Sequence, residues 1–428
     1  MRHALCEIMD KLVIHKSILS GSVEISGSKN AALPIIAATI LTDDDCILHN
    51  VPNLMDVKTM LKILEGLGKQ ITFENGTVII KATKKQGYVA PYRLVRTMRA
   101  SFCCLGPLLA RRKKAKVSLP GGCVIGVRPV DLHIKGLKIL GAGIEIERGY
   151  CVADGKNMRG NHMYLGGQFG SSVLATDNVM MAATLIDGET IIEYAACEPE
   201  VESLGVFLKK MGADITGEGT PLLRIRGVKK LGGCEFDIIP DRIEAGTFLA
   251  ASIATGSSLE IKGANPFHLT SAIEVAREMG AEINIDNARS IIVKSKLPLK
   301  PVNITTLPYP GFPTDLQAQF MICLCFAKGI SLITEKIYPD RFMHVAELNR
   351  MGARIQRNGP YAIIEGNAKL FGAEVMASDL RASAALVIAG LSAEDKTEIF
   401  RVYHIDRGYE HIEEKLRKLG AKIKREKQ

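Results

Sequence analysis

Residues 279–293 read MGAEINIDNARSIIV. The preceding residues have a helical apolar pattern, and glycine suits the left-handed position that follows a helix C-terminus. The Ile-x-Ile alternation after this glycine is typical of a strand. The same phrase recurs about every seventy residues, which is the period of a repeated structural unit. It begins at Leu67, Leu140, Met211, Met279, Met351 and Leu419. The sequence therefore predicts six related helix–strand units.

A second phrase repeats in the same register and consists of a polar residue, a charged residue and an alanine-rich apolar run. Its six copies occupy residues 26–41, 96–110, 172–185, 241–256, 314–329 and 378–393. Runs that are apolar on nearly all sides predict core helices, with only their N-termini reaching solvent or ligand. Three such units make a domain of ordinary size. We therefore expect two pseudo-threefold α/β domains with helices inside, sheets outside and an anionic ligand at helix N-termini in the cleft between the domains.

Composition excludes several classes of function. The 428 residues contain no Trp and only 5% aromatic residues, which argues against an aromatic platform for carbohydrate or single-stranded nucleic acid. The net charge of +9 is scattered, and the basic runs 111–116 and 422–428 are typical of solvated segments, so we expect no nucleic-acid partner. No apolar run reaches membrane-spanning length and the N-terminus lacks a signal-peptide core, so we expect no membrane association.

The ten cysteines include no C-x-x-C pair and no Cys/His group with zinc spacing. Most lie in apolar runs, as is typical of reduced thiols in a cytoplasmic protein. Phosphate-loop, dinucleotide-binding and H-E-x-x-H motifs are absent from the sequence. We therefore expect a cytoplasmic protein with no metal and no cofactor.

Charged residues stand at the starts of otherwise apolar helices. These are Lys29, Arg99, Asp315 and Arg381, to which Arg341 and Arg407 can be added. Each residue alone is more often a helix cap or a solvated charge than a functional residue. As a group, several cations around one carboxylate suit a site that holds phosphate and moves a proton.

Cys123 lies in the glycine-rich stretch SLPGGCVIGVRPVDLH, residues 118–133. A cysteine between glycines is poorly placed for packing, and nearby Arg128 favours its thiolate. On these residues alone, a reactive role and an unreactive one both remain open.

Seven segments identify a family resemblance. They are SGSKNAALP (26–34), RTMRAS (96–101), LPGGCVIGVRPVDLH (119–133), FPTDLQAQF (312–320), RFMHVAEL (341–348), DLRASAALVIAG (379–390) and YHIDRGYEHIEEKL (403–416). Together they resemble the UDP-N-acetylglucosamine 1-carboxyvinyltransferase family, the enolpyruvyl transferases of peptidoglycan synthesis. The family's usual start resembles MDKL at Met9, so residues 1–8 are expected to be an extension or a mis-assigned start.

The resemblance implies the enolpyruvyl-transferase fold, with two inside-out α/β domains of three units each. One domain, residues 1–28 plus 240–428, would carry the catalytic base, and the other, residues 29–239, would carry a mobile Cys123 loop. The implied reaction moves the enolpyruvyl group of phosphoenolpyruvate to the 3′-hydroxyl of UDP-N-acetylglucosamine and releases phosphate.

The resemblance also implies roles for single residues. Asp315 would be the base for the sugar hydroxyl, and Cys123 would be the acid that protonates the phosphoenolpyruvate methylene. Phosphoenolpyruvate would be bound by Lys29, Asn30, Arg128 and Arg407. The UDP-sugar would be bound by Arg99, Arg128, Pro129, Val130, Asp131, Leu132, Ser172, Val173, Asp315 and Ile337. Supporting charge would come from Arg341, Asp379 and Arg381.

Two positions depart from the family pattern. Leu174 stands where the family typically has glycine, and Cys197 stands where it typically has arginine. Two alternatives remain: an enzyme like 5-enolpyruvylshikimate-3-phosphate synthase, with the same fold and donor, and a non-catalytic paralogue that binds the UDP-sugar. The sister enzyme lacks the GGC loop and the RPVDLH segment.

Overall fold

A computed structural model describes residues 10–96, 98–120, 130–286 and 289–427. The chain forms two compact units. The described part of the first unit comprises residues 10–26 and 240–427, and that of the second lies within residues 27–239. Within the described ranges, no helix combines the length and apolar character needed to cross a membrane.

Buried helices and amphipathic helices alternate along most of the chain. In chain order they are α1 (Lys29–Ala38), α2 (Met55–Gly66), α3 (Tyr92–Val95), α4 (Leu105–Arg112), α5 (Asp131–Ile139), α6 (Val173–Ala183), α7 (Pro199–Lys210), α8 (Arg242–Thr255), α9 (Thr270–Glu278), α10 (Gln317–Cys325), α11 (His344–Arg350), α12 (Leu380–Ser392) and α13 (Ile412–Lys418). Short 3₁₀ helices span Thr39–Leu41, Arg99–Cys104, Pro266–Leu269, Thr314–Leu316 and Val402–Arg407.

The strands are short, and most alternate between buried and exposed residues. In chain order they are β1 (Asp10–His15), β2 (Ser20–Glu24), β3 (Cys46–His49), β4 (Lys69–Glu74), β5 (Thr77–Ala82), β6 (Val89–Ala90), β7 (Lys114–Ser118), β8 (Gly143–Glu147), β9 (Tyr150–Asp154), β10 (His162–Tyr164), β11 (Glu189–Glu193), β12 (Asp214–Thr216), β13 (Leu222–Arg226), β14 (Glu235–Asp237), β15 (Ser258–Lys262), β16 (Glu282–Asp286), β17 (Ser290–Lys294), β18 (Ile304–Thr306), β19 (Ile330–Glu335), β20 (Arg354–Asn358), β21 (Tyr361–Glu365), β22 (Glu374–Met376), β23 (Lys396–Phe400) and β24 (Lys422–Lys427).

These strands form six four-stranded sheets with one shared topology. The sheet β6-β7-β9-β8 is typical, because β6 and β7 are parallel and the remaining neighbours are antiparallel. The six predicted units are therefore confirmed as six copies of one supersecondary arrangement.

Three sheets are completed by strands distant in sequence. In the sheet β22-β23-β1-β24, the third position is filled by β1, where Leu12 pairs with Ile399 on one side and Arg425 on the other. Strand β2 pairs with β15 in parallel, and β14 pairs with β3 in parallel. The start of the described chain thus belongs to the first unit, and β14 returns to the first sheet of the second unit.

The repeated glycines end the outer helices as predicted. Each lies just after the helix C-cap with a φ between +94° and +104°, the left-handed region that favours glycine. They are Gly68, Gly141, Gly212, Gly280, Gly352 and Gly420.

The alanine-rich helices form the interior of each unit. In the first unit α8, α10 and α12 pack against one another, and every residue of α8 up to Ala254 is buried. In the second unit α1, α4 and α6 occupy the same place, and each unit has its own apolar core. Small residues allow this close packing: a Cβ on Gly246 of α8 would lie 2.4 Å from Leu316 Cδ1. The predicted arrangement of inner helices and outer sheets is confirmed.

Candidate functional site

In the first unit, two of the three inner helices begin at a capping aspartate. Asp241 Oδ1 accepts the backbone N–H groups of Ile243 and Glu244 at 2.8 and 3.0 Å. Asp379 Oδ1 accepts those of Arg381 and Ala382 at the same two distances. These bonds satisfy helix donors that otherwise lack a partner. Asp379 is thus a helix cap whose carboxylate also adds negative charge at this end of the unit.

Asp315 lies in the 3₁₀ helix that precedes α10, between two arginines. Arg341 Nη1 donates to Asp315 Oδ1 at 2.7 Å, and Arg381 Nε lies 3.5 Å from Asp315 Oδ2. The Asp315 side chain is 28% exposed, whereas those of Arg341 and Arg381 are 6% and 2% exposed. A molecule from solvent can therefore reach the carboxylate, while both guanidinium groups remain buried beside it.

Neighbouring acidic residues keep Arg341 and Arg381 positively charged although both side chains are buried. Burial alone would lower the pKa of Arg341, but the carboxylates of Asp315 and Asp379 raise it above its usual value. Burial likewise opposes the charge of Arg381, whose pKa is raised by Tyr409, Asp241 and Asp315. Both groups are fixed cations over the whole working pH range.

Arg381 joins Asp315 to the segment that follows residue 407. Its Nη2 lies 3.7 Å from Asp241 Oδ2, its Nη1 donates to the Gly408 carbonyl at 3.3 Å, and its guanidinium carbon lies 5.0 Å from the Tyr409 ring centre. Arg407 is the last residue of the 3₁₀ helix Val402–Arg407 and is partly exposed. Arg381 thus connects the start of α12 to the residue immediately after Arg407.

A buried glutamate organises the segment around Ile337. Glu335 accepts hydrogen bonds from Thr306 Oγ1 at 2.7 Å and from Thr314 Oγ1 at 2.9 Å. Its Oε1 also accepts the backbone N–H groups of Ile337 and Tyr338, at 2.9 and 3.0 Å. Because Thr314 precedes Asp315 in the chain, one carboxylate positions both Asp315 and Ile337.

In the second unit, Lys29 is the first residue of α1, which Ser28 caps. The lysine is buried, and its Nζ lies 2.8 Å from Asp56 Oδ2 near the start of α2. Asn30 follows in the same helical turn and is partly exposed. Lys29 is therefore an ion-paired cation at a helix N-terminus.

Two segments predicted to bind the UDP-sugar lie against each other in the second unit. Val130 occupies the N-cap position of α5, Asp131 is the exposed first residue of the helix, and Leu132 is partly buried. A Cβ on Gly167 would lie 3.1 Å from Leu132 Cδ1, so the glycine-rich chain before α6 contacts this segment. Ser172 Oγ then caps α6 by accepting the N–H of Ala175 at 3.4 Å, and Val173 begins the helix.

The remaining predicted residue of this unit, Arg99, begins the 3₁₀ helix before α4 and is partly exposed. Burial lowers the pKa of His133 to about 3, and the nearby Arg99 charge contributes to this shift. The neutral His133 ring lies 3.0 Å from Asn178 Nδ2, which also donates to the Phe102 carbonyl. Asn178 therefore connects α6 to α5 and to the segment that carries Arg99.

The two departures from the family pattern lie near these elements. Leu174 is the second residue of α6, where it packs half-buried against the core of the second unit. Cys197 precedes α7, and its thiol donates to the Ala195 carbonyl at 3.6 Å. Burial and the charge of Glu198 raise the pKa of Cys197, which favours the thiol form.

The predicted residues thus fall into two groups. Asp315, Arg341, Asp379 and Arg381 form one contiguous network in the first unit, with Ile337 and Arg407 linked to its ends. Lys29, Asn30, Arg99, Val130, Asp131, Leu132, Ser172 and Val173 all lie at or beside helix starts of the second. Cys123, Arg128 and Pro129 lie outside the described residues. Within the described ranges, no group of three His, Cys, Asp or Glu residues could hold a metal ion.

Sequence reasoning did not select several residues that hold these groups in place. They are Asp56, Asp241, Glu335, Gln319 and Tyr409. The Tyr409 hydroxyl lies 2.8 Å from Thr247 Oγ1 and accepts from Gln319 Nε2 at 3.1 Å, which fixes the ring that covers Arg381. The available signal was a polar residue next to an apolar run, as with Glu335 at the end of ISLITE.

Comparison with known proteins identifies relatives along nearly the whole chain. Residues 14–416 match the family model described as EPSP synthase (3-phosphoshikimate 1-carboxyvinyltransferase). A UDP-N-acetylglucosamine 1-carboxyvinyltransferase of Methylacidiphilum infernorum is 56% identical over 97% of this chain and 99% of its own length. A second relative, named UDP-N-acetylglucosamine 1-carboxyvinyltransferase 2 and from Carboxydothermus hydrogenoformans, is 52% identical with the same coverage.

Among solved structures, the enolpyruvyl transferase NikO from Streptomyces tendae has a TM-score of 0.89 at 22% identity, covering 98% of this chain and 99% of that one. EPSP synthase from Acinetobacter baumannii has a TM-score of 0.77 at 20% identity, covering 98% and 100%. These two structures support the fold alone.

Proposed function

This chain belongs to the UDP-N-acetylglucosamine 1-carboxyvinyltransferase family, and from that premise we propose that it transfers the enolpyruvyl group of phosphoenolpyruvate to the 3′-hydroxyl of UDP-N-acetylglucosamine. The sugar oxygen bonds to C2 of phosphoenolpyruvate while C3 gains a proton. The adduct then loses a proton from C3, and phosphate leaves as its C–O bond breaks. The product enters peptidoglycan synthesis.

In this proposal Asp315 takes the proton of the sugar hydroxyl. The observation that carries the proposal is its carboxylate, which is open to solvent yet held by the buried cations Arg341 and Arg381. A carboxylate fixed in one orientation can accept a proton without the cost of reorganising solvent. The same cations favour negative charge nearby, as a phosphate-bearing substrate requires.

Phosphoenolpyruvate would be bound by Lys29, Asn30, Arg128 and Arg407, whose cations suit its phosphate and carboxylate. The UDP-sugar would contact Arg99, residues 128–132, Ser172, Val173, Asp315 and Ile337. Residues 240–428, with the N-terminal strands, would supply the base. Residues 29–239 would supply Cys123.

The deciding experiment measures phosphate release from phosphoenolpyruvate with each of two acceptors, UDP-N-acetylglucosamine and shikimate-3-phosphate. We expect release with the nucleotide sugar and none with shikimate-3-phosphate. Release only with shikimate-3-phosphate would overturn the proposal in favour of the sister activity. Relatives that are 50–56% identical to this chain are named UDP-N-acetylglucosamine 1-carboxyvinyltransferase, which supports release with the nucleotide sugar.

Asp315→Asn and Asp315→Ala test the base. Loss of a positioned general base typically costs between about a hundredfold and ten-thousandfold in rate. We expect kcat to fall within this range for both variants, while calorimetry still detects UDP-N-acetylglucosamine binding. If wild-type turnover equals that of the variants but the nucleotide sugar still binds, the chain is a non-catalytic paralogue.

Cys123 would deliver the proton to the methylene carbon of phosphoenolpyruvate. A reactive thiolate at this position should be alkylated by the epoxide fosfomycin, which mass spectrometry detects as a covalent adduct. Cys123→Asp should keep activity, because a carboxyl group can still supply a proton, and it should resist fosfomycin. A wild-type protein that shows no adduct when bound to the nucleotide sugar would contradict this role.

The substrates suggest where the reaction takes place. Peptidoglycan precursors carried on UDP require a cytoplasmic enzyme, and the described cysteines are free thiols, as expected in a reducing compartment. We therefore place this activity in the cytoplasm of a dividing, wall-forming bacterium.

A further inference from the structure

Arg407 lies between two residues that are each held by another arginine. On one side, the Gly408 carbonyl accepts a hydrogen bond from Arg381 Nη1 at 3.3 Å. On the other side, the Asp406 carboxylate accepts two from Arg425, through Nη1 at 3.0 Å and Nη2 at 2.7 Å. Two parallel bonds between one guanidinium and one carboxylate fix both distance and orientation. Arg407 itself remains partly exposed between these attachment points.

Arg425 joins four elements of the first unit. It lies on β24, its Nε donates to Glu413 Oε1 on α13 at 2.7 Å, and its Nη1 lies 3.4 Å from Asp10 Oδ2 on β1. The hydrogen bonds that Arg425 donates to Asp406 and Glu413 raise its pKa against the effect of burial. Arg425 thus connects the 3₁₀ helix Val402–Arg407 to a strand in the middle of a sheet and to an outer helix.

The 3₁₀ helix has a weaker local anchorage than the strand. It begins after Arg401, a left-handed residue with φ 60°, and no side chain among the described residues caps its N-terminus. Val402 and Ile405 are its buried residues, and both precede Asp406. Strand β24, in contrast, pairs with β1 over six residues, from Asp10↔Lys427 to His15↔Lys422. Removing the Arg425 side chain should therefore loosen the end of the 3₁₀ helix more than the strand.

We propose that Arg425 is a positioning residue for the reaction, holding Asp406 so that Arg407 presents its guanidinium to the anionic end of phosphoenolpyruvate. The inference rests on the proposed role of Arg407. Arg425 need not touch substrate, because it acts through the backbone between two adjacent residues. A displacement of about 1 Å in a binding group can cost on the order of a hundredfold in rate.

The test is steady-state phosphate release by Arg425→Ala, Arg425→Lys and Asp406→Asn, with both substrates varied. We expect the KM for phosphoenolpyruvate to rise about tenfold to a hundredfold in Arg425→Ala, because a misdirected Arg407 binds the substrate less well. The KM for UDP-N-acetylglucosamine should change less than about threefold. Arg425→Lys keeps the charge but lacks the planar fork, so it should give an intermediate value.

The matched control is Arg277→Ala in the same unit. Arg277 donates from Nη1 to Glu274 Oε1 at 2.5 Å and from Nη2 to the Ile283 carbonyl at 3.3 Å, so it also bonds both a carboxylate and another segment. Arg277 lies on α9, far in sequence from residues 402–408. Arg277→Ala should therefore change neither the KM for phosphoenolpyruvate nor the KM for UDP-N-acetylglucosamine. A second comparison adds Arg425→Ala to Arg407→Ala. The double variant should resemble Arg407→Ala alone, because the positioned group is already absent.

Each outcome bears on a different claim. Wild-type protein without phosphate release overturns the proposed function and this inference with it. An active wild type with an unchanged phosphoenolpyruvate KM in Arg425→Ala overturns the inference alone. Equal rises in both KM values, or full additivity with Arg407→Ala, also overturn it, because they indicate a general structural role. If Arg425→Ala fails to fold, Arg425→Lys and Asp406→Asn decide the question by the same criteria.

Discussion

Asp177 is an acidic residue on α6, at a position where an apolar residue would be expected. It is fully buried, and among the described residues neither of its carboxylate oxygens has a hydrogen-bond partner. Burial raises its pKa well above the ordinary value, and the charges of Glu198 and Glu200 raise it further. The folded protein therefore holds a proton on Asp177 that the unfolded chain releases from about pH 4 upward.

Because the folded state binds the extra proton, stability contributed by Asp177 is complete below about pH 4 and falls as pH rises toward the folded-state pKa. Each pH unit in this window costs about 1.4 kcal/mol. Asp177→Asn cannot titrate, so its unfolding temperature should rise relative to that of wild type as the pH increases above about 5. Differential scanning calorimetry measures this gain, and Asp214→Asn at an exposed position is the control. A constant difference across the range would show that Asp177 does not titrate as proposed.

Single site residues could be predicted where a charged side chain interrupts an apolar sequence pattern. Lys29, Asp315 and Arg381 stand at helix starts that the sequence alone revealed, and the structure places them there. Their partners were not predictable. Asp56 and Asp241 are separated in sequence from the cations they pair with, and capping aspartates are common on any helix. Only the packing of the inner helices selects these pairs.

At the scale of secondary-structure elements, the contact between α8 and the 3₁₀ helix that carries Asp315 requires a glycine at position 246. A Cβ on Gly246 would lie 2.4 and 2.8 Å from the two methyl carbons of buried Leu316. Gly246→Ala must displace Leu316 and, with it, the adjacent Asp315. Overpacking of this kind typically costs about 1–3 kcal/mol. We expect a lower unfolding temperature and a kcat reduced by at least about tenfold, measured by calorimetry and phosphate release.

Gly280→Ala is the comparison for Gly246→Ala. Gly280 follows α9 with φ +99°, and a Cβ there would meet no atom of the described residues within 4 Å. Alanine at this position therefore incurs only left-handed backbone strain, about 1–2 kcal/mol. Stability should fall modestly while kcat is unchanged. If Gly246→Ala behaves in the same way, Leu316 can move without shifting Asp315.

The elements themselves were largely predictable, because the repeat presents the same pattern six times. Inner helices, outer helices and the glycines after them all appear where the two phrases indicated. The partners of the edge strands were not. The pairing of β14 with β3 joins residues at opposite ends of the second unit, and no local pattern records it. Strand pairing at long range depends on the whole fold rather than on local periodicity.

For the whole molecule, each unit has a separate apolar core. That of the second unit is built from residues 31–238, and its first sheet is closed by β14 at residues 235–237. A fragment of residues 27–239 contains every strand of its three sheets. We expect this fragment to be soluble and to unfold cooperatively, as followed by circular dichroism.

A fragment of residues 240–428, in contrast, does not contain every strand of its three sheets. It lacks β1 and β2, so two of its three sheets would miss a strand, and in β22-β23-β1-β24 the missing strand is an inner one. We expect this fragment to aggregate and to become soluble when co-expressed with a peptide covering residues 1–28. A stable, monomeric 240–428 fragment would show that β1 and β2 are dispensable for the first unit.

The insertion of β1 between β23 and β24 has a consequence for the timing of synthesis. Asp10 and Arg425, which meet across this sheet, are 415 residues apart in the chain. A ribosome adding about 5–20 residues per second needs roughly 20 to 80 s to cover that distance. Until β23 is synthesised, Leu12 and Ile14, which are fully buried in the folded protein, have no neighbouring strand. Strand β1 precedes every other described strand in the chain and is thus among the last to be covered during synthesis.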